Sequence, residues 1–155
     1  MKIGDDESNF IMVVDDDFDI VSLIKLSFQR RSFNVYGFTD PRLALEHFNL
    51  NAPGYILVIS DMRMPQMNGF EFIKKIKEIK PEIKVFLMTA FEINDIEFRR
   101  LLPSTKIDEF IQKPVSLEKL NTLVMNHTMD GIATKTSVGK TTNEDPGRPV
   151  HAGSL

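Results

Sequence analysis

The residues best suited to chemistry are few: Asp15, Asp16 and Asp17 in a row, then Asp61, Thr89 and Lys113. Each ends a short apolar run: IMVV leads into the three acids, YILVIS into Asp61, KVFLM into Thr89 and EFIQ into Lys113. If these runs are parallel strands, all of these residues fall on the carboxyl rim of one sheet, where ligands of open α/β folds collect. Electrostatics then sets a requirement. Two carboxylates about 4 Å apart repel by roughly 4 kcal/mol at an effective dielectric of about 20, so Asp15, Asp16 and Asp61 need a cation to stay ionised together. With no Cys in the chain and no nearby His, the donors are oxygens, which favours Mg2+ (or Mn2+) over zinc. Such an ion also attracts phosphate oxygens, while Lys113 adds a point charge and Thr89 a hydroxyl donor for the same anion. The set predicts attack of the Asp61 carboxylate on an activated phosphate to give an acyl phosphate, with charge neutralised by metal and Lys113.

Positioning these residues takes a sheet and its crossovers. Short apolar runs alternate with longer stretches of helical period, the rhythm of parallel strands joined by helices. Strands are expected at Phe10–Val14, Asn34–Gly37, Tyr55–Ser60, Lys84–Met88 and Glu109–Gln112. The first helix, within FDIVSLIKLSFQRR, is expected to turn Ile20, Leu23, Ile24 and Phe28 inward over about three turns. Thr39-Asp40-Pro41 announces the second, running to about Leu50, because Asp40 can cap free amides and Pro41 forfeits no needed donor. The third, Gly69 to Lys80, should bury Phe72, Ile73, Ile76 and Ile79 and stop at Pro81. A fourth is expected near 94–102, and Ser116 should cap a fifth whose Leu117, Leu120, Leu123 and Val124 share one face. The pattern reads (βα)5.

Composition bounds the function. A chain of 155 residues, 42% apolar and 26% charged, suits one globular domain, here 9–128 after a short polar extension over 1–8. From 129 to 155 there is no aromatic residue and four of the eight glycines occur, so a disordered tail without a second packed module is expected. The absence of Cys and of any signal-like or membrane-length apolar run points to a cytoplasmic protein with no membrane role. A net charge of −3 offers no general attraction for nucleic acid. His47, His127 and His151 have no mutual metal spacing and read as surface residues.

The motifs VVDDD, ISDMRMPQMNG, MTA and QKP, each after its strand, resemble the receiver domain of two-component response regulators across about residues 9 to 128. The resemblance implies a flavodoxin-like fold: a five-stranded parallel sheet of order 2-1-3-4-5 with helices on both faces. It implies Asp61 as phosphoacceptor, Asp15 and Asp16 holding the divalent cation, the backbone carbonyl of Arg63 as a further ligand, and Thr89 and Lys113 binding the phosphoryl group. It also implies a histidine kinase or phosphotransfer protein as donor and a cis bond between Lys113 and Pro114. With no output domain expected after it, this chain would act as a stand-alone phosphorylatable switch, active only in its own phosphorylation and dephosphorylation. On phosphorylation Thr89 would move toward the phosphoryl oxygens and Phe110 would rotate inward, repacking the face of the fourth helix, fifth strand and fifth helix for a downstream protein.

Two departures stand out. Phe110 replaces the commoner Tyr and lacks a hydroxyl to bond in either state, so any switching must work by packing. Phe91 is bulky where the family often carries a small or polar residue, and with Arg63 it is expected to restrict water's line of attack and prolong the acyl phosphate. Rival readings exist. Asp15 and Asp17 satisfy the minimal Asp-x-Asp of haloacid-dehalogenase-type phosphatases, but Asp61 would then have no role and Asp16 or Asp17 could simply cap the first helix. A flavodoxin shares the sheet order, yet the acidic rim would repel a flavin phosphate. A receiver-like interaction module that is never phosphorylated would not need all of Asp15, Asp16, Asp61, Thr89 and Lys113. Met62, Met64 and Met67 are expected to fill core gaps more than to meet partners.

Overall fold

A computed structural model of the chain describes residues 9–31, 33–90 and 105–128. The expected fourth helix, Phe91, His151, the 1–8 extension and the 129–155 tail lie outside these residues. The chain divides into a unit ending at Leu123, which carries the sheet and its rim, and a second beginning at Val124.

Side chains of a strand alternate between faces, so strands that are apolar at every position must be covered on both. β1 (Phe10–Val14) is buried along its whole length and sits between β2 (Asn34–Phe38) and β3 (Tyr55–Asp61). β4 (Lys84–Thr89) and β5 (Glu109–Gln112) complete a parallel sheet of order β2-β1-β3-β4-β5. The fold is the flavodoxin-like arrangement expected from the motifs, with β2, β3 and β4 each running one residue longer than their apolar runs indicated.

One core layer joins Phe10, Met12 and Val14 of β1 and Val85 and Leu87 of β4 to α2 (Pro41–Asn51) and α3 (Gly69–Ile79). The alternate residues Ile11 and Val13 face the other way, where α1 (Phe18–Gln29) buries Val21, Ile24 and Phe28. This corrects the expected face of α1, since Leu23 is 55% exposed while Val21 is buried. The buried set follows steps of three and four through Ile24, which leaves Leu23 a full residue's rotation off that stripe. Ile79, the last residue of α3, likewise ends 37% exposed instead of buried.

The helix starts follow their caps. Asp17 accepts from the Asp19 amide, Asp40 from the Arg42 amide with Pro41 next, and Asn68 from the Glu71 amide. Ser116 accepts from the Lys119 amide at 3.3 Å and opens the helix over 117–128, whose Leu120 is buried. The Lys80 ammonium donates to the Ala52 and Tyr55 carbonyls at 3.0 and 2.7 Å, fastening the end of α3 to the turn before β3. Among the described residues no helix is long and apolar enough to cross a membrane.

Far from the rim, His47 is not a surface residue. It is half-buried, tilted against Tyr36 at 4.9 Å, and its Nδ1 lies 2.8 Å from the Tyr55 hydroxyl. Burial drives the Tyr55 phenol above its ordinary 10, so the hydroxyl stays protonated beside the imidazole it hydrogen-bonds. Burial also holds His47 below its ordinary 6.5. The folded chain therefore binds this proton less readily than the unfolded one, and stability falls as pH drops below about 6.5. His47→Gln, which keeps an acceptor for Tyr55, is expected to flatten that slope. Urea midpoints between pH 7.5 and 5.5 for both proteins measure it, and parallel slopes would refute it.

Candidate functional site

Strand register alone brings the chemistry-bearing residues together. Val14 pairs with Ser60, so Asp15 and Asp61 leave neighbouring strands at the same level. Asp61 pairs with Met88 and Thr89 with Gln112, which places Thr89 and then Lys113 one step further on. The rim continues to be pinned past the strands: the Asp15 amide donates to the Phe38 carbonyl at 3.1 Å and the Lys113 amide to the Thr89 carbonyl at 2.7 Å. The Lys113–Pro114 bond is cis, as the resemblance implied.

Asp15 is fully buried and Asp61 5% exposed, while Asp16 is exposed. One oxygen from each of the three lies within 4.8 Å of the other two, an arrangement that could hold a metal ion. The Lys113 ammonium, coming from the far strand, reaches both buried acids: 2.9 Å to Asp15 Oδ2 and 3.0 Å to Asp61 Oδ1. Asp15 Oδ1 accepts from the Asp17 amide at 2.9 Å. Burial nevertheless pushes the Asp15 carboxyl above its ordinary 3.8, outweighing those bonds, and the charge on Asp61 adds to the rise. For Lys113 the balance is reversed. Burial pulls the ammonium down, but its bonds to Asp15 and Asp61 prevail and its pKa is raised above 10.5. Three carboxylates facing this ammonium leave the cluster short of positive charge.

Beside the acids a cavity of about 180 Å³ is lined by Asp61, Met62, Arg63, Thr89, Ala90 and Lys113. Thr89 is fully buried at the end of β4, and the Arg63 side chain is exposed. Phe110 is partly buried and packs against the core. Met62 and Met64 are buried and Met67 packs on the same cluster, so these methionines fill the core under the β3–α3 loop. Gln66 turns that loop with φ 74, and the Met67 amide donates to the Pro65 carbonyl at 2.8 Å.

Sequence reasoning left two contributors unnoticed. Ala90 lines the cavity, with no signal beyond following Thr89. Gly69 backs the site: a Cβ there would collide with the Asp61 carbonyl, and its amide donates to the Met62 carbonyl at 2.8 Å. A lone glycine opening a helix was the available clue. Asp17, by contrast, is committed to capping α1, which removes the second acid that a haloacid-dehalogenase-type phosphatase would need.

Comparison with known proteins agrees with this geometry. The family model of the response regulator receiver domain matches residues 11–125. The alkaline phosphatase synthesis transcriptional regulatory protein PhoP of Bacillus subtilis is 29% identical over 115 residues, covering 74% of this chain but 46% of the relative. Sporulation initiation phosphotransferase F of Bacillus subtilis is 32% identical over 81 residues, covering 52% of this chain and 64% of that protein. This chain thus spans less than half of the first relative's length. A receiver domain from Clostridium thermocellum superposes with TM-score 0.70 at 26% identity, over 81% of this chain and 98% of that one. A rim that gathers Asp15, Asp16, Asp61, Thr89 and Lys113, on a sheet of this order, belongs to a chain of the response regulator receiver domain family, the signalling domain of two-component systems.

Proposed function

We propose that this domain accepts a phosphoryl group on Asp61 from the phosphohistidine of a histidine kinase or phosphotransfer protein. The Asp61 carboxylate attacks phosphorus, the donor's P–N bond breaks, and the imidazole leaves and takes up a proton. Water attack on phosphorus then breaks the acyl P–O bond, releasing inorganic phosphate and the Asp61 carboxylate, so the domain acts only on its own phosphorylation and dephosphorylation. One observation carries the reading: an Asp61 oxygen held 3.0 Å from the Lys113 ammonium, at the edge of a cavity that Thr89 also lines. Lys113 and the Thr89 hydroxyl would bind the phosphoryl oxygens, and burial of Asp15, Asp61 and Thr89 at the floor of the rim strengthens both interactions.

Asp15, Asp16 and Asp61, with the Arg63 carbonyl, would hold Mg2+ (or Mn2+). The donors fit, being hard oxygens short of positive charge. The bound ion supplies charge neutralisation at the phosphoryl oxygens. Asp15 contributes by staying anionic and Asp16 by remaining open to solvent. Thr89 and Phe110 are the switch residues in this reading, repacking the β5 side for a downstream protein in the cytoplasm.

Incubating the chain with Mg2+ and acetyl phosphate and weighing the intact protein tests it. Wild type should gain one phosphoryl mass, and both Asp61→Asn and chelator-treated wild type should gain none. Labelling of Asp61→Asn to the wild-type extent, or none of wild type, overturns the assignment.

A further inference from the structure

β5 holds Phe110 and leads directly into Lys113, yet it is four residues long and lies at the edge of the sheet. Its own side chains choose its register poorly. Successive residues of a strand face opposite sides, and here both sides are apolar: Phe110 packs on the layer of α2 and α3, while Ile111, buried, points to the other. A slip of one residue against β4 would exchange one apolar side chain for another at little cost in burial, but it would carry Lys113 about 3.3 Å along the strand. That displacement exceeds the whole 3.0 Å contact between the Lys113 ammonium and Asp61. Nor can the ion pairs of Lys113 be the pin, because in the proposed reaction the ammonium must turn from the acids to the phosphoryl oxygens.

At the other end of β5 stands Asp108. Its amide donates to the Val85 carbonyl at 2.9 Å and its Oδ2 accepts from the Val85 amide at 2.9 Å, so one residue grips both main-chain groups of Val85. In a longer parallel strand the second bond would go to a main-chain carbonyl further upstream. The carboxylate takes that place and, being charged, makes the stronger bond. The Asp108 side chain is only 5% exposed, and the Lys84 and Lys106 ammonium groups lie 3.8 and 3.9 Å from its Oδ1, offsetting the cost of covering the charge. Main-chain bonds fit any register, but this one does not: a slip would bring to Val85 either Ile107, which has no acceptor, or Glu109, whose carboxylate is one methylene further out.

We infer that Asp108 is a positioning residue: its carboxylate fixes the register of β5 and so delivers Lys113 to Asp61, an assignment whose bearing on phosphorylation rests on the role proposed for Lys113 above. Labelling by acetyl phosphate with Mg2+ tests it on wild type, Asp108→Ala, Lys113→Met and the double variant, at a temperature where all four are folded by circular dichroism. Asp108→Ala should slow labelling about tenfold when Lys113 is present. With Lys113 already replaced by Met the same change should slow it less than about twofold, since nothing is left to position. Asp108→Asn keeps an acceptor for the Val85 amide and should label within about threefold of wild type. Where Asp108→Ala fails to fold, Asp108→Ser, whose hydroxyl ends one bond short of the carboxylate oxygen, makes the same comparison.

A second readout needs no phosphodonor. The Lys113 amide is bonded to the Thr89 carbonyl at the end of β5, whereas the Asp15 amide is bonded to the Phe38 carbonyl on the opposite side of the sheet. In chelator, hydrogen exchange of the Lys113 amide should be at least about tenfold faster in Asp108→Ala than in wild type, and that of Asp15 unchanged. A general loss of stability would speed both. Equal slowing of labelling in the two backgrounds, no acceleration of exchange at Lys113, or equal acceleration at Lys113 and Asp15 would each overturn the role of Asp108 and leave Asp61 as the phosphoacceptor. Wild type that gains no phosphoryl mass would overturn the phosphoacceptor instead, and the exchange comparison would then decide whether Asp108 sets the register.

Discussion

Lys113→Met is expected to destabilise the metal-free domain by about 3 kcal/mol, the lower end of what removing one partner of a buried ion pair costs. The lower end applies because the Lys113 side chain is itself 20% exposed, so water screens part of the pair. The variant leaves the Asp15 and Asp61 carboxylates facing each other without the ammonium that touches both. Asp15, already raised above its ordinary 3.8 by burial, would rise further. An acid whose folded pKa is raised binds its proton more tightly in the folded chain, so stability should increase as pH falls toward 3.8 and be lost as pH climbs through the folded value. Adding Asp15→Asn to Lys113→Met should therefore recover much of the loss. Mg2+ should raise the midpoint of Lys113→Met more than that of wild type, because the ion replaces the missing charge. Labelling by acetyl phosphate should slow by about a hundredfold or more, the usual effect of deleting one group that stabilises a transferring anion. Urea denaturation in chelator and with Mg2+, together with the labelling rate, measures all of these. A metal-free midpoint equal to wild type would refute the electrostatic account of the rim.

Much of this rim was legible in the sequence because each member ends a strand whose apolar run is unmistakable. In a parallel sheet the ends of strands are neighbours, so convergence follows from topology without any knowledge of side-chain geometry. The acids announced a shortage of positive charge for the same reason. What the sequence concealed depends on rotation and on close approach. The face of α1 was misjudged at Leu23 because seven apolar residues compete for a stripe wide enough for three, and only packing against β1 and β2 selects Val21. His47 looked like a surface residue because nothing local links it to Tyr55; their hydrogen bond joins α2 to the start of β3. The role of Gly69 is a matter of ångströms between backbones, which no pattern of residue types encodes.

Gly69→Ala should be among the most damaging small substitutions in the domain. As a mid-helix change it would gain stability, since alanine is the better helix former by about 1 kcal/mol. Position 69 opposes that gain. An added Cβ would collide with the Asp61 carbonyl oxygen and lie 2.9 Å from both Met62 Cα and Leu87 Cδ1. Two of the three obstacles are backbone, so no rotamer change relieves them, and the Gly69 amide is tied to the Met62 carbonyl from the same side. Overpacking of this kind costs typically 1–3 kcal/mol and occasionally more, and unyielding backbone puts the net loss at about 3 kcal/mol. Against a total stability of about 5–15 kcal/mol, that should lower the melting temperature by on the order of 10 °C. Gly37→Ala is the matched control. Its Cβ would strike the Val21 side chain, which has somewhere to move, so a smaller loss is expected. The damage at 69 should also reach the chemistry, because α3 and the Asp61 carbonyl can separate only by displacing the end of β3. At a temperature where Gly69→Ala remains folded, its labelling by acetyl phosphate should lag wild type while Gly37→Ala keeps pace. Equal melting temperatures for the two variants, or labelling of Gly69→Ala at the wild-type rate, would mean that α3 does not buttress the end of β3.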